Sequence, residues 1–254
     1  MSEHTGISWT HHTFNPWWGC VKVSPSCDGC YAESDSRRYG FQIWGKDSGR
    51  RFFSDKHWAE PLKWNAAAEK AGERRRVFCA SMADVMEDRR DLDALRDRLY
   101  RLIDATPHLD WLLLTKRPQN FARLLPLTWM LGSQKNIWLG TTLEAPEYLW
   151  RVKALKQVPA TVHFLSMEPM IEPIPTLGEH LDDIEWVITG GESGHKARPQ
   201  NADTFRQIRD AAVSRSIPFH FKQWGEHGDD LVKIGKKKAG RELDGREWLE
   251  FPKC

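Results

Sequence analysis

The chain has 254 residues, of which 40% are hydrophobic, enough to bury a large core as one α/β domain or two small ones. Its 37 Lys and Arg against 35 Asp and Glu leave a net charge of +2, which excludes a global pull toward nucleic acid or membrane and leaves any such attraction to local patches. No apolar run approaches the roughly 18 residues that span a bilayer, so the expectation is a cytoplasmic protein with no membrane partner.

In chain order, a short strand is predicted over ISWT (Ile7–Thr10), followed by a cysteine loop over 15–33 that carries Cys20, Cys27 and Cys30 in GCVKVSPSCDGCYAE. Their spacing, six intervening residues and then two, puts three soft thiolates on one irregular loop with no fourth cysteine nearby. Such a set is an incomplete metal cage, and an open position is where exogenous chemistry enters. Cys79, inside the apolar run VFCAS, reads as a small core residue, and Cys254 is the last residue. Two other readings of the loop stay open. An odd count of five cysteines and the absence of a secretory signal weigh against a disulfide pair with a free thiol. A zinc site completed by His11 or His12 would ordinarily show two spaced ligand pairs, and here there is a pair and a singleton.

Residues 40–76, with SGRRFF and the basic triplet Arg74–Arg76, read as an insertion. Beyond it, apolar runs of strand length alternate with helical spacing. Arg76–Val85 precedes a helix over 91–106, Trp111–Pro118 precedes 119–130, and Asn136–Leu143 precedes 146–158. Val162–Met170, Ile184–Ser193 and Pro218–Glu226 follow, with a helix over 202–216 between the last two. Continuous rather than alternating apolar runs indicate strands buried on both faces, as in a parallel sheet wrapped by helices. The tail over 228–254, which carries Lys236–Lys238, reads as a hairpin or extension. A solvated surface is the simpler reading of either basic triplet taken alone. The thirteen tryptophans are expected to be core for the most part, with several lining a groove.

With ISWT the count is about seven strands, so the expected fold is α/β: a single domain over 1–254 built as a partial, open βα barrel of about six to seven parallel strands. Polar residues gather where each strand ends. They are Ser81 and Asp84; Thr115, Lys116 and Arg117; Thr141, Thr142 and Glu144; Ser166 and Glu168; Gly190 to Ser193; and Lys222 and Gln223. In barrels that edge carries the active site.

A three-cysteine loop after a first strand, an aromatic Tyr31 beside the last cysteine and a following βα repeat resemble the radical S-adenosylmethionine enzymes. More closely, NPWWGCVKVSPSCDGCYAE, SMADV, LLLTKRP, NIWLGTTLE, FLSMEPM, WVITGGESG and FKQWGE together resemble a phage-associated family of unknown function with a variant C-x6-C-x2-C motif, along about Ile7 to Glu226. The usual superfamily spacing is three and then two. The resemblance implies an enzyme in which Cys20, Cys27 and Cys30 hold three irons of a [4Fe–4S] cluster, while S-adenosylmethionine binds the fourth through its amino and carboxylate groups. One electron then yields a 5′-deoxyadenosyl radical that abstracts hydrogen from a substrate.

Superfamily members often hold the cofactor's amino group with a Gly-Gly-Glu segment after the second strand. Here Gly190, Gly191 and Glu192 carry that sequence at the end of a late strand. By position, Ser81 and Asp84 suit the methionine amino group, Lys116 and Arg117 a carboxylate or phosphate, and Glu144, Ser166 and Glu168 ribose hydroxyls or substrate. A salt bridge or hydrogen bond closing the barrel mouth is the alternative for each. The implied partners are an electron donor and a nucleic acid or nucleotide substrate, for modification or repair; the oligomeric state leaves no residue signature. A zinc-stabilised nucleic-acid-binding or interaction protein without turnover is the competing function. A metal-dependent hydrolase is disfavoured because thiolates prefer soft metals.

Overall fold

The computed structural model describes residues 5–253; Cys254 lies outside the described residues. Seven strands form one parallel sheet in sequential order: β1 His12–Thr13, β2 Arg75–Cys79, β3 Leu109–Thr115, β4 Ile137–Thr142, β5 Val162–Met167, β6 Trp186–Thr189 and β7 Phe219–Phe221. The sheet curls into an open half-barrel, the partial βα barrel expected from the apolar runs. The first strand falls at His12–Thr13 and not at Ile7–Thr10. Residues 7–10 instead make a turn that drives the Trp9 indole into the concave face, 4.6 Å from the Phe78 ring and 6.3 Å from Trp186.

Strand alternation divides the buried residues into two cores. Val77, Cys79, Trp111, Leu113, Leu139, Leu165 and Val187 point outward to the helices and form the larger one. Phe78, Leu112, Trp138, Phe164, Trp186 and Ile188 point inward, join Trp9 and fill the lower part of the barrel. From the C-terminal end, Phe251 closes this aromatic plug against Trp186 and His220. Gly140, paired with Phe164 across β4 and β5, is required here: a Cβ at this position would sit 2.3 Å from the Phe164 ring.

The expected helices form at Asp93–Asp104, Trp150–Leu155 and Ala202–Val213. The pattern over 119–130 becomes two one-turn helices, Phe121–Leu124 and Leu127–Met130, because Pro126 supplies no amide to bridge them. The segment 40–76 contributes the helix Glu60–Ala71. The tail forms a hairpin of β8 Glu242–Leu243 and β9 Arg246–Glu247, and it returns to β7 through a Phe221 amide that donates to Trp248 O. Among the described residues, no helix is long and apolar enough to cross a membrane.

Gly140→Ala is expected to destabilise the protein by about 1–3 kcal/mol, because the new methyl group overpacks a ring that cannot retreat. Gly178→Ala, whose Cβ would meet nothing within 4 Å, is the matched control. Urea midpoints at equal slope decide it; equal midpoints for both variants would refute the plug.

Candidate functional site

With the lower barrel filled, the inward positions left for chemistry are those at the C-terminal ends of the strands. They face a cleft with about 940 Å³ of empty space, part of it open to solvent. Cys20, Cys27 and Cys30 line one side; Ser81, Asp84, Lys116, Thr142, Ser166, Glu168 and Lys222 line the other. Cys27 ends a turn over Pro25–Cys27, and Cys30 caps the helix Tyr31–Arg38. The amides of Ala32 and Glu33 thereby favour a charged Cys30 sulfur, although burial raises its pKa overall. Burial likewise pushes the Cys20 thiol up to about 12, against the pull of Arg117. So raised, the Cys20 and Cys30 thiols carry their protons at neutral pH, and a metal that bound them would displace those protons.

An irregular loop cannot hold three thiols by its own backbone, and three carboxylate–arginine pairs from three strand ends do it. After β2, Asp84 accepts from Thr115 Oγ1 at 2.6 Å, from the Met86 and Lys116 amides, and from Arg117 Nη1 at 2.6 Å. Arg117 so fixed donates to Val21 O at 2.6 Å and approaches Cys20 Sγ at 3.8 Å. After β4, the fully buried Glu144 pairs with Arg151 at 2.7 Å and accepts from Ser26 Oγ at 3.1 Å. After β6, Glu192 takes two bonds at 2.8 Å from Arg198, whose Nη1 donates to Pro25 O. A Cβ on Gly29 would lie 2.5 Å from Glu192 Oε1, so only glycine lets the loop come this close.

Among the strand-end residues singled out in the sequence, Ser81, Asp84, Lys116, Ser166 and Glu168 meet the three cysteines in the cleft. Glu144 and Glu192 lie behind the loop, bonded as described. Gly190 and Gly191 are packed against the chain after β7; a Cβ on Gly191 would fall 1.7 Å from Trp224 O. Cys79 is buried on the outer face of β2. His11 accepts from the Arg76 amide, and His12 stacks on Trp64; both lie outside the cleft. The triplet Arg74–Arg76 begins β2, at the opposite edge of the sheet, where Arg74 is tied to Asp110 and Arg75 to Glu73. Lys236 lies close enough to Lys222 and Glu168 to feel their charges.

Two groups in the cleft keep hydrogen-bonding or charge capacity unused among the described residues. Glu168 Oε2 accepts from Lys222 at 2.6 Å, but its buried Oε1 accepts no hydrogen bond. The Lys116 ammonium forms no ion pair among the described residues; burial lowers its pKa, opposed by the charges of Glu144 and Cys27. Sequence reasoning missed Asn15, Ser26 and Arg198. Asn15 donates to Ser81 Oγ and accepts from the Met82 amide, holding the loop after β2. Each is a lone polar residue in a loop with no local pattern, and only its long-range partner gives it a role.

A family model described as "Protein of unknown function (DUF5131)" matches residues 4–252. No curated protein matches the chain. Among solved structures, the chain is similar to a mutant spore photoproduct lyase with bound AdoMet and dinucleoside spore photoproduct, at 14% identity and a TM-score of 0.50. It is similar to a second mutant of the same lyase at 15% identity and a TM-score of 0.50. Each alignment covers 80% of this chain and 61% of the lyase chain, a likeness of fold.

Truncating one partner of a buried ion pair strands the other charge. Glu144→Ala is therefore expected to cost about 3–5 kcal/mol, and Glu144→Ala/Arg151→Met to recover much of it. Thermal and urea unfolding of the two variants test this; a double variant no more stable than the single one would contradict it.

Proposed function

The chain belongs to the DUF5131 family, and we propose that it is a radical S-adenosylmethionine enzyme whose Cys20, Cys27 and Cys30 hold a [4Fe–4S] cluster. The observation that carries this reading is the convergence of three thiols, from one clamped loop, on the open cleft of a half-barrel whose fold is shared with spore photoproduct lyase. The donor set fits the group. Three soft sulfurs, with no fourth lining the cleft among the described residues, suit a cluster with one open iron. Among the described residues, no three His, Cys, Asp or Glu side chains come together closely enough for a single metal ion. A [4Fe–4S] cluster would take one thiolate on each of three irons, so the three cysteines would hold it without meeting at a single ion.

When bound, the cluster and S-adenosylmethionine would supply a 5′-deoxyadenosyl radical able to abstract hydrogen from a substrate. The chain's own residues do the positioning. Glu168 Oε1 accepts from an ammonium or hydroxyl donor, an assignment supported by its present lack of a partner. Lys116, with Arg117 behind it, offsets the negative charge that thiolates and a carboxylate bring into a half-buried cleft. Ser81, Thr142 and Ser166 offer hydroxyls to the ribose or the substrate. Trp9 and the aromatic plug close the floor beneath the cleft. The substrate is a nucleic acid or nucleotide, modified or repaired. The lyase of similar fold binds a dinucleoside photoproduct, and Lys116, which forms no ion pair among the described residues, lines the cleft here.

Anaerobic purification with iron, sulfide and zinc analysis tests the reading. About four irons per chain and release of 5′-deoxyadenosine on reduction with S-adenosylmethionine are expected. Cys20→Ala, Cys27→Ala and Cys30→Ala should each lose the iron, and Cys79→Ala should keep it at some cost in stability. Stoichiometric zinc without iron after reconstitution would overturn the proposal in favour of a zinc-stabilised binding protein.

A further inference from the structure

A second cleft lies beside the first, with about 860 Å³ of empty space, and the two share a wall made by Val21, Lys116 and Arg117. Most of its charges are already committed. Glu87 is paired with the buried Arg50, Asp88 with Arg123, Arg89 with Asp91, Arg117 with Asp84 and Arg151 with Glu144. Lys46 and Lys116 remain without an ion pair among the described residues. Lys46 is held in place by its backbone, because Arg89 donates to Lys46 O at 3.2 Å and to Ser48 O at 2.9 Å.

The same cleft is lined by two rings, Tyr148 and Trp150. Trp150 is 43% exposed in a chain that buries most of its tryptophans. The rings are backed by Arg151, whose guanidinium carbon lies 4.1 Å from the Tyr148 ring centroid and 5.7 Å from that of Trp150. That guanidinium cannot swing away, because Glu144 and Thr142 O hold it. The cleft thus combines a fixed aromatic platform with two ammonium groups that form no ion pair among the described residues. Gln119, exposed on the same wall, offers both a donor and an acceptor.

We propose that this second cleft is a binding site for a nucleotide unit of the substrate, with the base stacked on Trp150 and Tyr148, its edge against Gln119 and its phosphate on Lys46 and Lys116. The chemistry follows from the combination. A polyanion without rings would leave the platform bare, and an apolar ring without phosphate would leave two ammonium groups unpaired. Because Lys116 lines both clefts, a unit bound here has its neighbour at the mouth of the first. The inference rests on the reading of that mouth as the reaction centre, but binding does not depend on a cluster being present.

The test uses the full chain, as isolated and after anaerobic reconstitution, with a fluorescein-labelled single-stranded oligonucleotide read by anisotropy. Binding is expected to weaken with salt. Trp150→Ala should weaken it about tenfold or more, with Trp150→Phe restoring part of the loss. Lys46→Ala should weaken it and lower the salt slope by about one. Both positions are exposed, and melting curves confirm that the variants fold. Competition identifies the source of the unit: displacement by a nucleoside monophosphate at comparable concentration marks a free nucleotide, and displacement by the unlabelled strand alone marks a nucleic acid. Unchanged affinity in Trp150→Ala, or inorganic polyphosphate competing as well as the strand, would overturn the proposal. Iron content on the same samples separates the two readings. Binding without iron leaves this site standing and removes the cluster, and iron without binding does the reverse.

Discussion

The structure depends on one constraint: three thiols must face the barrel mouth from a loop whose regular backbone structure is limited to isolated bridges at Trp18 and Gly19 and one short turn at Pro25–Cys27. The solution is repeated three times at the ends of β2, β4 and β6. In each case a carboxylate grips an arginine, and the pair reaches the loop: Asp84 and Arg117 at Val21 and Cys20, Glu144 and Arg151 at Ser26, Glu192 and Arg198 at Pro25 and Gly29. Taking such pairs out of water costs about as much as their attraction returns, so their use is better understood as positioning than as stability. An apolar replacement would pack as well but would not direct a hydrogen bond at one chosen carbonyl.

The half-barrel gives those pairs something rigid to stand on. Its floor is built from Trp9, Trp138, Phe164 and Trp186, with Gly140 leaving room for the Phe164 ring. Above that plug the inward positions of β3, β4 and β5 turn polar, at Lys116, Thr142, Ser166 and Glu168. Register does the selecting: these residues share the inward parity of Leu112, Trp138 and Phe164 and lie two or four positions farther along the chain.

The strands and the edge that bears the site were legible because both rest on local patterns: apolar runs of strand length, each ended by polar residues. The first strand was misplaced because ISWT has strand composition but its tryptophan serves a long-range contact inside the barrel. The same limit governs the carboxylates. From sequence, Asp84, Glu144 and Glu192 look alike, acidic residues just beyond a strand. Only the path of the cysteine loop across the mouth shows that each already has an arginine, and that Glu168, among the described carboxylates, keeps a buried oxygen without a hydrogen-bond partner. Arg74–Arg76 and Lys236–Lys238 looked equivalent for the same reason, yet one triplet starts β2 at the far edge and the other lies near Lys222.

A net charge of +2 conceals a sharp division of labour. Arginines near the mouth are consumed by carboxylates: Arg50, Arg89, Arg117, Arg151 and Arg198 all have acidic partners. Among the lysines there, Lys22 and Lys222 have acidic partners, whereas Lys46 and Lys116 form no ion pair among the described residues. The assignment suits the chemistry of each side chain. A guanidinium, planar and weakly hydrated, makes the fixed forks that hold a loop, whereas an ammonium on a flexible stem can follow a ligand that arrives and leaves. The immobile positive charge is thus spent inside the protein, and the mobile positive charge faces the clefts, where an anionic ligand is the partner that would satisfy it.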